Sequence, residues 1–293
     1  MKCGQVAVIG KANAGKSTLI NVLVGEKVAI VSPKPQTTRD RILGVLTDKD
    51  YQIVFVDTPG FYKAENTLNS VMQKTANDAT KDVDLILLVI DAHQGISESD
   101  IALVKKYSSD IPMVIALTKT DITTEKRLIE NLTKFMGVDK DIVPISARKG
   151  KNLNELKKVI LSHLPEYDDY IYPIDIISDK SERFMISEIM REKILLKFDK
   201  EIPHGVAIII NEFKDKGKFI EVNLDIVCEK PNHKAILIGK QGQAIKEAST
   251  FARMDMEKFL GKKVFLTTYV KVKEDWRDSV KFIKEYGYGE DGY

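Results

Sequence analysis

Residues 10–17 read Gly-Lys-Ala-Asn-Ala-Gly-Lys-Ser, the spacing G-x-x-x-x-G-K-[ST]. Glycines at those places let the backbone turn several N–H groups onto phosphates. The lysine, Lys16, reaches the β- and γ-phosphates, and the Ser17 hydroxyl ligates Mg²⁺. Gly10, Lys11, Ala12, Asn13, Ala14, Gly15, Lys16, Ser17 and Thr18 are thereby candidate nucleotide-binding residues. The loop lies between a strand-like run, VAVIG (6–10), and a helical segment starting near Lys16, whose positive N-terminal end adds to the pull on an anion. A glycine-rich turn without a ligand is the bland alternative, and the strand–loop–helix setting argues against it.

Three further clusters sit at the ends of later strand-like runs. Asp57-Thr58-Pro59-Gly60 offers a carboxylate for Mg²⁺ and a glycine N–H for the γ-phosphate. In Thr118-Lys119-Thr120-Asp121, Asp121 can accept from both the ring N–H and the exocyclic amine of guanine, a donor pair adenine lacks. Ser146-Ala147-Arg148 sets the Ala147 N–H to meet the guanine carbonyl. The four clusters in this order indicate GTP and GDP as ligands and disfavour a metabolic ATPase or kinase. No second catalytic constellation competes: His93, His163, His204 and His233 are scattered, and Cys3 and Cys228 form no C-x-x-C pair, so a zinc site is not expected.

Residues 236–246 read Ile-Leu-Ile-Gly-Lys-Gln-Gly-Gln-Ala-Ile-Lys. Gly239 and Gly242 separate a short apolar helix from a longer one. Small residues there admit a nucleic-acid backbone, and Lys240, Gln241 and the helix N-terminus supply donors. The element resembles the GxxG loop of a KH domain, which clamps single-stranded RNA; a glycine-capped helix–turn–helix is the alternative. The candidate RNA-binding residues are Ile238, Gly239, Lys240, Gln241, Gly242 and Lys246. Residues 230–284 carry 13 Lys or Arg against 6 Asp or Glu, a local charge of +7 in a chain of net +2, which suits a polyanion. Lys262, Lys263, Lys271 and Lys273 mix phosphate contacts with merely solvated positions, and Trp276 reads as a core aromatic.

These clusters need a sheet to hold them. Strand-like runs at 6–10, 41–47, 51–57, 84–91, 113–119 and 141–147 alternate with helical segments starting near Lys16, Asn66, Ser97, Thr124 and Asn152, and several runs are continuously apolar, as strands covered on both faces are. Ser97 and Asp100 have capping-box spacing. The pattern predicts a doubly wound α/β domain over 1–165. An acidic, tyrosine-rich linker spans 166–180, with prolines at 165 and 173 breaking any helix. An α+β domain over 181–293 follows, ordered helix, strand, strand, helix, helix, strand, helix. The tail EYGYGEDGY is expected to fray. The 293 residues are 43% hydrophobic and 30% charged, with mean hydropathy −0.18. No apolar run reaches the roughly 18 residues of a membrane span, and two cysteines suit a reducing compartment. The expectation is a cytoplasmic protein.

The clusters, together with Gln36-Thr37-Thr38-Arg39 and the stretch GKKVFLTTYVKVKEDWRD (261–278), resemble the Era family of GTPases from about Gly4 to Phe282. The resemblance implies a P-loop GTPase domain followed by a type II KH domain. It also implies binding near the 3′ end of small-subunit ribosomal RNA, a part in assembling the small ribosomal subunit, and peripheral membrane association in some members. Thr38, with Thr37 as second choice, would close over Mg²⁺ and γ-phosphate, so the metal set is Ser17, Thr38 and Asp57 and the catalytic set is Lys16, Thr38, Gly60 and Asn13. Asn13 matches the asparagine that helps related GTPases bind potassium, or it merely shapes the loop. Thr118 departs from the family's usual asparagine. Phe61 cannot orient water, so turnover should be slow, roughly 10⁻⁴ to 10⁻² s⁻¹. The rival function is a switch acting on a protein or membrane partner, with the KH-like domain as an interaction module.

Overall fold

The computed structural model describes residues 1–60, 66–107 and 111–289. They form two compact units: residues 1–29, 38–60, 73–107 and 111–179 make the first, and residues 30–37, 66–72 and 180–289 the second.

In the first unit, among the described residues, six strands form one sheet: β1 (Lys2–Ile9), β2 (Ile42–Asp48), β3 (Tyr51–Asp57), β4 (Leu85–Asp91), β5 (Met113–Thr118) and β6 (Asp141–Pro144). Their order is β2-β3-β1-β4-β5-β6. Only the β2–β3 pair is antiparallel. Helices α1 (Lys16–Val24), α3 (Glu98–Tyr107), α4 (Glu125–Thr133) and α5 (Leu153–His163) connect the strands; α2 (Thr67–Asp78) follows β3, its residues up to Met72 belonging to the second unit and the rest to the first. The continuous apolar runs are explained by two cores, one on each sheet face. Val6, Val8, Leu87 and Val89 pack with Leu19, Ile20, Leu156 and Ile160, while the alternating Ala7, Ile9, Leu88 and Ile90 pack with Val104 and Phe135.

Residues 166–179 are docked along the β2 edge. The Val45 N–H donates to the Ile177 carbonyl (2.8 Å), the Leu43 N–H donates to Asp179 Oδ1 (2.8 Å), and Gln52 and Tyr172 exchange two hydrogen bonds of 2.8 Å. The acidic linker composition thus covers an edge that would otherwise present unpaired backbone groups. The strand expected over 141–147 stops at Pro144, and Ser146 pairs instead with Lys151 in a tight turn.

The second unit is α+β. Helix α6 (Glu182–Lys197) precedes β7 (Ala207–Asp215), β8 (Phe219–Cys228), α7 (Pro231–Ile238), α8 (Gln243–Leu260), β9 (Lys263–Val272) and α9 (Val280–Glu285). The sheet order is β7-β8-β9, with β7 antiparallel and β9 parallel to β8. Ile189, Met190 and Ile194 of α6 meet Val222, Leu224, Ala248, Ala252 and Met256 in the core. Trp276 is 0% exposed and donates from Nε1 to the Gly205 carbonyl (2.9 Å), so it is a core aromatic. The expectation of a frayed tail is corrected for its first part: Tyr286 and Tyr288 are buried against Trp276, at centroid distances of 5.4 and 5.9 Å. An aromatic cluster supplies the apolar burial that a glycine-rich composition conceals.

Candidate functional site

The loop after β1 opens α1 directly, with Gly15 at φ 98° as the residue before Lys16. Lys16 is buried and its Nζ donates to the carbonyls of Gly10 (3.1 Å) and Lys11 (2.9 Å). Burial pushes its ammonium down to about 8, against the pull of Asp57. The neighbouring lysines are tied off by acids that the motif does not contain. Lys11 Nζ meets Asp100 Oδ2 (2.9 Å) and the Ser97 hydroxyl. Ser97 and Asp100 form the expected capping box of α3, since the Ser97 N–H also donates to Asp100 Oδ2 (2.9 Å). Lys119 Nζ bridges the Asn13 carbonyl (2.8 Å) and Asp91 Oδ2 (2.6 Å). Asp91 and Asp100 were missed as site residues; Asp91, an aspartate ending a strand as Asp57 does, was the available signal.

Asp57 ends β3 fully buried. Its Oδ2 accepts from the Ser17 hydroxyl (2.7 Å) and the Thr38 hydroxyl (3.3 Å), and those two hydroxyls lie 3.0 Å apart. Its Oδ1 is buried without a hydrogen-bond partner. Burial raises its pKa, opposed by Lys16 and by the Ser17 and Thr38 hydrogen bonds. Two hydroxyls and a carboxylate gathered together, with the second carboxylate oxygen, Oδ1, uncommitted, fit a hard divalent cation such as Mg²⁺. Thr37 is elsewhere: its hydroxyl donates to the Lys34 carbonyl (2.7 Å). Thr58 donates to the Val8 carbonyl (2.9 Å) and pins the start of the next turn. Gly60 there comes so close to the phosphate loop that a Cβ would lie 2.8 Å from the Ala12 nitrogen, so only glycine admits the approach. Phe61 lies outside the described residues.

At the base end, Asp121 Oδ1 accepts from the Ser146 hydroxyl (2.6 Å). That bond, with Arg148 and Lys149 nearby, holds the carboxyl below its ordinary range and ready to accept from a base. The tight turn at Ser146 carries Ala147 and Arg148. The Thr118 hydroxyl donates to the Ala14 carbonyl (2.6 Å), with the Ile90 carbonyl also in reach at 3.1 Å. One hydroxyl has one proton for two acceptors, where a carboxamide would have two. The shorter contact goes to the phosphate loop, so that brace survives the departure from asparagine.

In the second unit, Gly239 ends α7 at φ 71°, a turn of Lys240–Gly242 follows, and α8 begins at Gln243. A Cβ on Gly239 would lie 2.6 Å from the Ala244 Cβ. Lys240, Gln241 and Lys246 are exposed, and Ile238 is half-buried beside them. This brings the six RNA candidates to one helix–turn–helix corner.

The family model for a 50S ribosome-binding GTPase matches residues 5–119, and that for a KH domain matches residues 201–277. The chain is 43% identical over 292 residues to the GTPase Era of Clostridium kluyveri, covering 98% of this chain and 99% of that one. It is 42% identical to the Era of Clostridium botulinum, covering 98% of each. Among solved structures, a point variant of Aquifex aeolicus Era bound to GDP·AlF4⁻ superimposes with a TM-score of 0.94 at 37% identity, over 99% of this chain and all of that one. Era in complex with MgGDPNP and nucleotides 1506–1542 of 16S ribosomal RNA gives 0.94 at 38% identity, with the same coverage.

Proposed function

The chain belongs to the Era family of GTPases, and we propose that it is a GTP-hydrolysing switch that binds the 3′ region of small-subunit ribosomal RNA through its KH domain and assists assembly of the small ribosomal subunit. The observation that carries this reading is likeness along the whole chain, through both domains, to a relative that holds MgGDPNP and a 16S ribosomal RNA fragment together. Residues Gly10–Thr18 cradle the phosphates, and Lys16 neutralises charge developing on the β- and γ-oxygens. The Gly60 N–H meets the γ-phosphate, and Asp121 and the Ala147 N–H read guanine. Ser17, Thr38 and Asp57 would hold Mg²⁺, which when bound supplies electrostatic stabilisation of the phosphates. We assign a second, potassium ion to Asn13; equal turnover in potassium and sodium buffers would remove it. A cytoplasmic location, with peripheral contact to the inner face of the membrane, completes the reading and rests on the resemblance alone. No described helix is long and apolar enough to cross a membrane.

The RNA assignment is tested with a single-stranded fragment of the rRNA 3′ end and Gly242→Asp, which places a carboxylate at the start of α8. The expected result is binding weakened about tenfold or more, with GDP affinity unchanged. Equal RNA binding by both proteins would move the reading to a protein or membrane partner.

A further inference from the structure

Thr37 and Thr38 are consecutive, yet they are held by different machinery. Residues 30–37 belong to the second unit and Thr38 to the first. Within the second unit, α6 grips the segment at several points. The Val31 N–H donates to Glu192 Oε1 (2.9 Å). Lys34 Nζ donates to the Phe198 carbonyl and to Asp199 Oδ1 (2.9 Å). At the end that leads into Thr38, the Arg191 guanidinium donates from Nη1 to the Gln36 carbonyl (3.3 Å) and from Nη2 to the Thr37 carbonyl. Gln36 is at φ 59°, a conformation that costs free energy in a residue with a Cβ and persists only where its surroundings enforce it.

Arg191 is 0% exposed. A guanidinium in that setting is tolerated only if its charge is balanced and its donors are used. Glu188 balances it, accepting from Nε at 2.7 Å and also from Nη2. Further donor capacity is spent on two successive carbonyls of one loop. The planar fork suits that task and an ammonium does not. Because the peptide is planar, the Thr37 carbonyl and the Thr38 N–H share one rigid plane, so fixing the first fixes the plane from which Thr38 departs. The Thr38 hydroxyl then stands 3.0 Å from that of Ser17 and 3.3 Å from Asp57 Oδ2.

We propose that Arg191 is a positioning residue for the GTP-bound state: by holding the Thr37–Thr38 peptide plane it sets the Thr38 hydroxyl against Ser17 and Asp57. The proposal rests on the GTPase reading for the role of Thr38.

The test is Arg191→Lys, which keeps the charge beside Glu188 and loses the fork. The Mg²⁺ concentration for half-maximal binding of a non-hydrolysable GTP analogue should rise about tenfold or more, as when other supports of metal ligands are removed, with GDP affinity within about twofold of wild type. Amide hydrogen exchange over residues 31–38 should quicken in the analogue-bound state. Equal losses of GDP and analogue binding, or a folded variant with unchanged Mg²⁺ dependence, overturn the proposal. If Arg191→Lys does not fold, Glu192→Ala, which removes the acceptor of the Val31 N–H and leaves the Arg191–Glu188 pair intact, should shift the Mg²⁺ dependence in the same direction, and no shift overturns it. Failure of the wild-type chain to bind guanine nucleotides would instead bring down the GTPase reading, and this proposal with it.

Discussion

A lysine buried beside an aspartate and two carbonyls is pulled both ways, and for Lys16 burial outweighs Asp57 and brings the ammonium from 10.5 to about 8. In the unfolded chain it keeps its ordinary value, so below about 8 both states are protonated and the folded protein bears the full desolvation cost. That cost is relieved as pH rises from about 8 towards 10.5, where only the unfolded state still binds the proton. Nucleotide reverses the balance, because phosphate charge favours the ammonium. Binding of GDP at about pH 9 should therefore take up most of a proton and be weaker than at about pH 7, where uptake is only about a tenth of a proton. Calorimetry in two buffers of different ionisation enthalpy reads this directly. Absence of uptake at the higher pH would mean that Lys16 is charged throughout and that its burial is compensated by groups other than Asp57.

At the scale of elements, the two glycines of the α7–α8 corner are not equivalent, although their spacing makes them look alike. Both have positive φ, 71° for Gly239 and 75° for Gly242. A Cβ on Gly239 would strike the Ala244 Cβ, whereas one on Gly242 would meet nothing within 4 Å. Gly242→Ala should then cost only the left-handed backbone penalty, about 1 kcal/mol. Gly239→Ala should cost distinctly more, since α7 and α8 must also move apart. Urea denaturation of the two variants compares them, and equal losses would show that the corner relaxes freely around Ala244. The elements themselves were legible wherever their pattern is local. The apolar strands, the Ser97–Asp100 cap and the Gly–Lys–Ser helix start are each decided by residues within a few positions. The docking of residues 166–179 on β2 was not, because the Val45–Ile177 and Leu43–Asp179 bonds join residues more than a hundred positions apart. Nothing in a tyrosine-rich linker says which edge it covers.

Across the whole molecule the same division holds. Phosphate and guanine recognition must be built from consecutive residues at strand ends, so the motif residues could be named from the chain. Asp91 under Lys119 and Arg191 under Thr37 act through space and leave no spacing to read. Charge shows the point most sharply. The +7 of residues 230–284 is a count along the chain, and folding redistributes it. Lys262 pairs with Asp215 (2.5 Å), Lys271 with Asp225 (2.6 Å) and Arg277 with Glu229 (2.5 Å), all carboxylates from outside that stretch. Lys197 and Lys193, also from outside, pair in turn with Glu247 and Asp255. Among the described residues Lys240 and Lys246 are exposed and make no ion pair, and both flank the glycine corner. A cation already matched by a carboxylate has few condensed counterions to displace from RNA, whereas an unmatched one displaces its full share. Lys246→Gln should lower the slope of log affinity against log salt by about 0.7, the contribution of one phosphate on a single strand. Lys262→Gln should leave the slope nearly unchanged. Equal changes would mean that RNA feels the summed field of the basic stretch. A loss confined to Lys246 would mean that the unpaired lysines at the α7–α8 corner are where the backbone lies.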